Sequence, residues 1–407
     1  MNYVIIGNSA AAIGGIEGIR SLDKDGKITV VSSEKYHTYS RPLISYLLCK
    51  KTTEEKMKYR SDDFYKKNKC DVILGKKAVK TDGKKVILED ETELPFDKLL
   101  IATGSRPFVP PMEGLDNVKE KFTFMSLDDA KALEKSLSKD KKVLIIGAGL
   151  IGLKCAEGIF DKVKEITVVD MADRILPSIL DEKGSKIVKK HLEKIGMKFL
   201  LSDSVKSFSD KEAVLNSGKK LIYDIVVIAV GVRPNTDLAE DAGVKVDRGI
   251  ETDIYCRTSN KDIYSAGDCA KSLDITTGAQ RILALLPNAY MQGQVAGINM
   301  AGGDAKYDDA IPMNSIGFFG LHMMTAGSYD GDESVITDGK NYRKFIVKDN
   351  VLKGYILIGD VKRAGIYTSL IRKKTPLDTI DFELVKEKPN LMAFSENERE
   401  KMLGGAK

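Results

Sequence analysis

The sequence predicts an α/β fold made of two parallel-sheet domains, one inserted in the other, followed by a C-terminal α+β domain. Three observations predict this fold. A strand, a glycine turn and a helix of small residues occur twice, at residues 3–20 and 143–159. Each copy continues into a second strand with an acidic residue at its end. From about Ile311 the sequence changes to alternating segments separated by glycine, which is typical of antiparallel sheet.

Composition restricts the class of protein. The chain has 407 residues, of which 43% are hydrophobic and 30% charged, and this balance excludes fibrous and disordered proteins. The net charge of +5 is small for this length, so we expect no nucleic-acid partner. No apolar run reaches the ~18 residues of a membrane span, and Met1 leads directly into the first strand. We therefore expect neither membrane insertion nor export.

The five cysteines do not form a recognisable framework. Their number is odd and no CxxC pair occurs, so the sequence predicts neither a disulfide scaffold nor a metal site. The three histidines have no ligand spacing either. We expect a cytoplasmic protein in a reducing compartment.

The first glycine turn reads GNSAAA, with Gly7, Ser9 and Ala12 at the positions of the GxGxxG pattern. Such a turn allows a pyrophosphate to approach the N-terminus of the following helix, whose N–H groups and partial positive charge bind the anion. Glu34 follows Gly7 by 27 residues, near the ~20 expected for a carboxylate that binds a ribose. The first copy therefore predicts a dinucleotide site of the Rossmann type.

The second glycine turn reads GAGLIG and matches the pattern completely, with Gly147, Gly149 and Gly152. Asp170 ends the next strand, 23 residues after Gly147. A carboxylate at this point binds both ribose hydroxyls and repels a 2′-phosphate, so the sequence favours NADH over NADPH.

A further repeat suggests where the chain passes between the two Rossmann-type domains. Residues 99–107 read LLIATGSRP and residues 226–234 read VVIAVGVRP. Each is a short apolar strand interrupted by Gly and Pro, which marks a break in the fold. We expect a first dinucleotide-binding domain at 1–112 and 243–310, a second at 113–242, and a C-terminal interface domain at 311–407.

Together these motifs resemble the pyridine nucleotide-disulfide oxidoreductase superfamily. The resemblance implies that the first domain binds FAD, that the inserted domain binds NAD(H), and that Gly267-Asp268 binds the ribityl chain of the flavin. The implied cofactor-binding residues are Gly7, Ser9, Ala12, Glu34, Arg41, Pro42, Ala102, Thr103, Gly104, Gly147, Gly149, Ile151, Gly152, Asp170, Gly231, Gly267, Asp268, Pro287, Asn288 and Ala289.

Within the superfamily, the segments YSRPLISYLL at residues 39–48 and LLPNA at residues 285–289 resemble the NADH:rubredoxin reductase and nitrite-reductase flavoprotein group. The resemblance implies that NADH delivers a hydride to FAD. Electrons then pass to a small redox protein or an iron–sulfur partner similar to rubredoxin or ferredoxin. No side chain need act as acid, base or nucleophile, because the cofactor carries the chemistry. The assembly implied is a homodimer or a subunit of a larger redox complex.

Two residues depart from this pattern. Lys154 occupies a position where members of the group often carry Glu, so the resemblance does not predict how this site contacts the nicotinamide. Cys49 resembles the single cysteine of NADH oxidases, NADH peroxidases and coenzyme A disulfide reductases, although Lys50 replaces the expected glycine. A cysteine-assisted oxidase, peroxidase or disulfide reductase is the alternative enzyme, and a small packing residue is the simpler role for Cys49. A structural subunit with a vestigial NAD site is a further alternative, which the intact second turn argues against.

Overall fold

The computed structural model describes residues 1–396 and 399–400, which form two compact units. The larger unit contains Met1–Pro177, Leu192–Leu273 and Gln280–Ala310, and the smaller contains Ser178–His191, Asp274–Ala279 and the residues from Ile311 onward. Both glycine turns belong to the larger unit, so the predicted boundaries between the FAD and NAD domains stay a prediction. Residues 397, 398 and 401–407 of the predicted C-terminal domain lie outside the described residues.

A five-stranded parallel sheet carries the first glycine turn. Its central strand is Asn2–Ile6, whose last four residues are buried because neighbouring strands and helices cover them on every side. The helix after the turn, Ala10–Leu22, is called turn helix 1 below. In spatial order the strands are Ile263–Ser265, Lys98–Ile101, Asn2–Ile6, Lys27–Ser32 and Cys70–Leu74. The carboxyl ends of the three middle strands therefore meet at one sheet edge, beside the turn.

A second five-stranded parallel sheet repeats this arrangement around the second glycine turn. Lys142–Ile146 is flanked by Glu165–Asp170 on one side and Ile225–Ile228 on the other. The helix after the turn, Leu150–Ile159, is called turn helix 2. The strand order is Lys198–Leu201, Glu165–Asp170, Lys142–Ile146, Ile225–Ile228 and Lys121–Phe122. The repeat predicted from the sequence is thus a repeat of structure.

The two GxRP breaks, predicted as crossing points, pair with each other. Ser105–Pro107 and Val232–Pro234 form a two-stranded antiparallel ribbon in which Arg106 faces Arg233. The chain segments that leave the two parallel sheets therefore run side by side within the larger unit.

Turn helix 1 packs closely on the helix Leu286–Met300, because glycines line the contact. A Cβ on Gly14 would lie 2.1 Å from the carbonyl oxygen of Tyr290, and one on Gly293 would lie 1.9 Å from that of Ala11. Real Cβ atoms do not approach so closely, so these positions require glycine. The backbones meet directly, and the position of one helix fixes that of the other.

The smaller unit contains a five-stranded antiparallel sheet with helices after it, as the alternating segments predict. Its core contains Phe345, Tyr355 and Tyr367, all nearly inaccessible to solvent. In spatial order the strands are Met313–Phe318, Leu321–Gly327, Val351–Ile358, Tyr342–Lys348 and Asp332–Thr337, and the helices after them are Ala364–Lys373 and Phe382–Glu387.

Short elements complete the fold. The remaining strands are Ala78–Thr81, Lys85–Leu88, Glu93–Pro95, Val205–Ser209, Glu212–Leu215, Lys220–Ile222, Val246–Asp247, Gly249–Ile250, Ser272–Asp274 and Ala279–Arg281. The remaining α-helices are Ile44–Leu48, Glu54–Met57, Phe64–Lys67, Leu127–Ser136, Glu182–Ile195 and Asp237–Asp241. The 3-10 helices are Arg41–Leu43, Leu115–Asn117, Phe160–Lys162, Leu377–Thr379 and Leu391–Ala393. Among the described residues, no helix combines the length and the hydrophobicity needed to cross a membrane.

Candidate functional site

The first glycine turn lies against the end of a neighbouring strand. Gly7 has a φ of +123°, and a Cβ there would lie 2.1 Å from the carbonyl oxygen of Ala102. Only glycine satisfies both conditions. Ser9 is the N-cap of turn helix 1, and within the described chain its side chain caps none of the helix N–H groups. The N–H groups of the first helical turn are therefore available to an anionic ligand.

A cavity of about 690 Å³ opens beside this turn. Cofactor sites commonly measure about 300–1,000 Å³, so the volume suits a large cofactor. The predicted residues that line it are Gly7, Ser9, Glu34, Arg41, Pro42, Ala102, Thr103, Gly104, Gly267, Asp268 and Ala289. Of the other residues predicted for this site, Ala12 and Asn288 are buried in the helix packing and Pro287 is exposed in the first turn of its helix.

Glu34 and Arg41 form an ion pair in the cavity wall. Tyr39 donates a hydrogen bond of 2.6 Å to the second carboxylate oxygen of Glu34. Burial lowers the pKa of Arg41, but Tyr39, Glu34 and Asp268 outweigh that effect and keep its pKa above the ordinary value. Arg41 is thus a permanent cation in the cavity. Each oxygen of Glu34 still has a lone pair for a ribose hydroxyl.

Asp268 is the second carboxylate of the cavity. Burial raises its pKa, and the charge of Arg41 and the nearby hydroxyl group of Ser105 oppose that shift only in part. A carboxyl group with a raised pKa can exchange hydrogen bonds with hydroxyl groups in either protonation state. This chemistry suits the polyhydroxylated ribityl chain that the resemblance assigns to Asp268.

The cavity as a whole fits FAD. Free helix N–H groups and Arg41 suit a pyrophosphate, and the two carboxylates suit the hydroxyls on either side of it. Bound there, the pyrophosphate would be held by the turn and Arg41, and the two sugar-like segments by Glu34 and Asp268.

The second glycine turn repeats the same geometry. Gly147 has a φ of +113°, and a Cβ there would lie 2.3 Å from the carbonyl oxygen of Ala229. Gly152 is equally constrained, because its Cβ would lie 2.1 Å from the carbonyl oxygen of Gly147. Gly149 and Gly231 differ, since a Cβ on either would meet no described atom within 4 Å. A ligand can therefore approach the backbone at Gly149, where turn helix 2 begins with Ile151 partly buried in its first turn.

Asp170 is fixed by the backbone around this turn. One carboxylate oxygen accepts from the N–H of Ala148 at 2.6 Å, and the other accepts from the N–H of Ala172 at 2.8 Å. The first bond ties the acid to the glycine turn itself. The neighbouring Arg174 pairs with Asp173 at 2.9 Å, rather than with Asp170. The carboxylate is thus held in place with lone pairs remaining for a ribose.

Cys49 caps the short helix Ile44–Leu48, which follows Arg41 and Pro42 in the chain. The thiol is half-buried and lies 3.6 Å from the carbonyl oxygen of Tyr46, the geometry of S–H donation.

A buried charge cluster joins this short helix to turn helix 2. Glu157 is 7% exposed and pairs with Lys154, while Lys51 lies 3.9 Å from its other carboxylate oxygen. The ammonium of Lys154 also lies 4.4 Å from the centre of the Tyr46 ring. Gly158 brings the helices together, because a Cβ there would lie 2.9 Å from the carbonyl oxygen of Ser45. Lys154 therefore helps to hold the two helices together.

Part of the cavity wall is not predicted by the sequence motifs. Residues 76–79 and Asn235 also line it, and the side-chain amide of Asn235 donates to the carbonyl oxygen of Thr103 at 2.9 Å. Asn235 directly follows the second GxRP break, so pairing of the two breaks could have predicted it. Residues 76–79 belong to no motif, and only the folded chain brings them to the cavity.

The fold and the two turns define the class of protein, an α/β oxidoreductase with two dinucleotide sites. Residues 1–293 match the pyridine nucleotide-disulphide oxidoreductase family, and residues 312–375 match the rubredoxin NAD+ reductase C-terminal domain. The chain belongs to the pyridine nucleotide-disulphide oxidoreductase family. It is an enzyme of that family, and its cofactors are FAD and NAD(H).

Two curated relatives illustrate the similarity. The NADH-dependent phenylglyoxylate dehydrogenase subunit epsilon of Aromatoleum evansii is 30% identical, over 92% of each chain. An NADH oxidase of Methanocaldococcus jannaschii is 36% identical, over 75% of this chain and 71% of that protein.

Solved structures show the same fold. The NAD-dependent persulfide reductase from A. fulgidus has a TM-score of 0.86 and 30% identity, covering 93% of this chain and 78% of that one. The NADH:rubredoxin oxidoreductase from Clostridium acetobutylicum has a TM-score of 0.75 and 26% identity, covering 93% of this chain and 97% of that one.

Proposed function

We propose that this enzyme oxidises NADH and passes the electrons through FAD to a small redox protein or iron–sulfur partner similar to rubredoxin or ferredoxin. The proposal is based on the two glycine turns, each with its own carboxylate, Glu34 or Asp170. The same chain contains a rubredoxin NAD+ reductase C-terminal domain. FAD, when bound, supplies the chemistry, since a flavin accepts a hydride and releases electrons singly.

The residues of the chain bind and orient the two cofactors. We assign the pyrophosphate of FAD to the first turn and Arg41, and its hydroxyl groups to Glu34 and Asp268. NADH binds at Gly149, where the backbone is open, and Asp170 selects it over NADPH. We place the FAD domain at 1–112 and 243–310 and the NAD domain at 113–242. The reaction takes place in the cytoplasm, in a homodimer or as a subunit of a larger redox complex.

The acceptor is tested by anaerobic reduction of a rubredoxin and of a ferredoxin with NADH as donor. We expect the wild-type enzyme to reduce at least one of them. Gly149→Val is the matched variant, because its side chain enters open space in the protein but blocks a pyrophosphate. It should keep FAD and lose NADH-dependent turnover. Failure of the wild-type enzyme with both acceptors, despite rapid flavin reduction by NADH, would contradict the proposed partner.

Cys49 supports a second candidate function, a cysteine-assisted NADH oxidase, peroxidase or disulfide reductase. Two observations favour it: a half-buried thiol follows Arg41 and Pro42, which line the cavity, and a persulfide reductase is among the similar structures. Lys50, which stands where the cysteine-dependent enzymes have glycine, argues for the first function.

A further inference from the structure

A second, much smaller pocket adjoins the cavity and is called the His37 pocket here. Its volume is about 20 Å³, which is room for a single water molecule. It is lined by Asn8, Ser9, Ser32, Glu34, Tyr36, His37, Tyr39 and Arg41, and five of these residues also line the large cavity. Each of these residues has a polar side-chain group, so the pocket suits water or a hydroxyl group.

The position of the proton on His37 follows from one contact. Nδ1 lies 3.2 Å from the carbonyl oxygen of Thr38, and a carbonyl oxygen can only accept a hydrogen bond. Nδ1 therefore carries the proton in the neutral ring, and Nε2 is left as an acceptor. Nε2 is buried and has no hydrogen-bond partner among the described residues. A buried acceptor without a donor is unfavourable, so this atom requires one from a bound molecule.

The imidazole ring is held in this orientation. The ring of Tyr65 lies 4.9 Å from it, centre to centre. Tyr65 in turn donates a 2.5 Å hydrogen bond to the side-chain oxygen of Asn8, a residue of the first glycine turn. His37 is thus linked by packing and by a hydrogen bond to the turn that binds the pyrophosphate.

The pocket lies at one particular end of the large cavity. Its walls include Glu34, the carboxylate assigned to a ribose, but include neither Asp268 nor the start of the helix Leu286–Met300. The AMP half of FAD is the half assigned to Glu34. A molecule in the His37 pocket therefore faces the AMP half rather than the flavin ring.

We propose that His37 is a positioning residue for the AMP half of FAD. Its Nε2 accepts a hydrogen bond from one water molecule in the His37 pocket, and that water bonds to the adenosine ribose held by Glu34. The inference rests on the proposed assignment of FAD to the large cavity, and it adds a residue that the glycine-turn pattern does not contain.

The test measures binding of FAD, ADP and FMN to the apoprotein by isothermal calorimetry. ADP contains only the AMP half of the cofactor and its phosphates, whereas FMN contains only the flavin half. His37→Phe removes the acceptor and keeps an aromatic ring against Tyr65. We expect it to weaken the binding of FAD and of ADP by the same factor, about tenfold for one water-mediated hydrogen bond. The affinity for FMN should stay within twofold of wild type. His37→Gln, whose side-chain oxygen can replace Nε2, should restore most of the affinity.

The control is His322→Phe, because His322 is an exposed histidine of the smaller unit. It should bind all three ligands like the wild type. If His37→Phe does not fold, His37→Asn serves instead, since it keeps the contact with Thr38 but is too short to fill the place of Nε2. Unchanged affinity for FAD and ADP, or an equal loss for FMN, would overturn the inference. A wild-type apoprotein that binds no FAD would instead overturn the proposed function.

Discussion

Replacement of Gly293 by alanine tests whether the contact between turn helix 1 and its neighbour positions the cofactor. The new Cβ would lie 1.9 Å from the carbonyl oxygen of Ala11. Since contacts under 3.0 Å essentially do not occur, the helices must separate by more than 1 Å. A backbone oxygen cannot rotate away, so the cost is at the upper end of the ~1–3 kcal/mol typical of overpacking. Alanine regains about 1 kcal/mol of helix propensity, which leaves a net loss of about 2 kcal/mol.

The same shift should weaken the binding of FAD, because Ala11 belongs to the first turn of the helix assigned to the pyrophosphate. The assays are the urea midpoint of the apoprotein and the Kd for FAD. Gly365→Ala is the control, since Gly365 is a helical glycine whose Cβ would meet nothing within 4 Å. It should raise stability by about 0.5–1 kcal/mol and leave FAD binding unchanged. A Gly293→Ala protein with wild-type stability and wild-type FAD affinity would show that this helix contact does not position the cofactor site.

Three further predictions concern the other sites. Asp170→Ala should raise the KM for NADH and reduce the preference for NADH over NADPH, because it removes both the ribose hydrogen bonds and the charge that repels a 2′-phosphate. If the ratio of the kcat/KM values for NADH and NADPH does not change, Asp170 does not belong to the site. Cys49→Ala should leave NADH-driven reduction of one-electron acceptors within a fewfold of wild type, and loss of that activity with FAD retained would show that the thiol is a redox centre. Glu157→Leu removes the buried carboxylate that pairs with Lys154 and should destabilise the protein by about 3 kcal/mol in urea unfolding. Glu157→Leu combined with Lys154→Met should recover much of that loss. Equal stability of the single and the double variant would show that the pair is not coupled.

The sequence was sufficient to predict the repeated unit, because strand, turn and helix are local features with strong signals. Gly7 and Gly147 both have the positive φ that the pattern requires. The repeat extends further than the pattern indicates. Glu17 and Glu157 occupy equivalent places in the two turn helices, and each binds cationic side chains from outside its own turn: Arg60 at 2.8 Å for Glu17, and Lys51 at 3.9 Å for Glu157.

Other features depend on contacts between distant parts of the chain. In the sequence, nothing distinguishes the glycines of turn helix 1 and of Leu286–Met300 as contact residues. Their role becomes evident only when the two helices are packed together. The ion pair of Glu34 with Arg41 depends likewise on how the segment after the second strand folds back. So does the buried Nε2 of His37, which has no hydrogen-bond partner in the described part of the chain. Sequence patterns predict which segments bind a cofactor, but the hydrogen-bond partners within those segments follow only from the folded geometry.

One chain that binds both cofactors should transfer a hydride from NADH to its own FAD. The most direct measurement is an anaerobic titration of the purified protein with NADH, followed by flavin absorbance after the FAD content has been determined. We expect one FAD per chain and loss of the flavin absorbance with one equivalent of NADH, and more slowly with NADPH. A protein that stays colourless after incubation with FAD, or a bound flavin that NADH does not reduce, would contradict it.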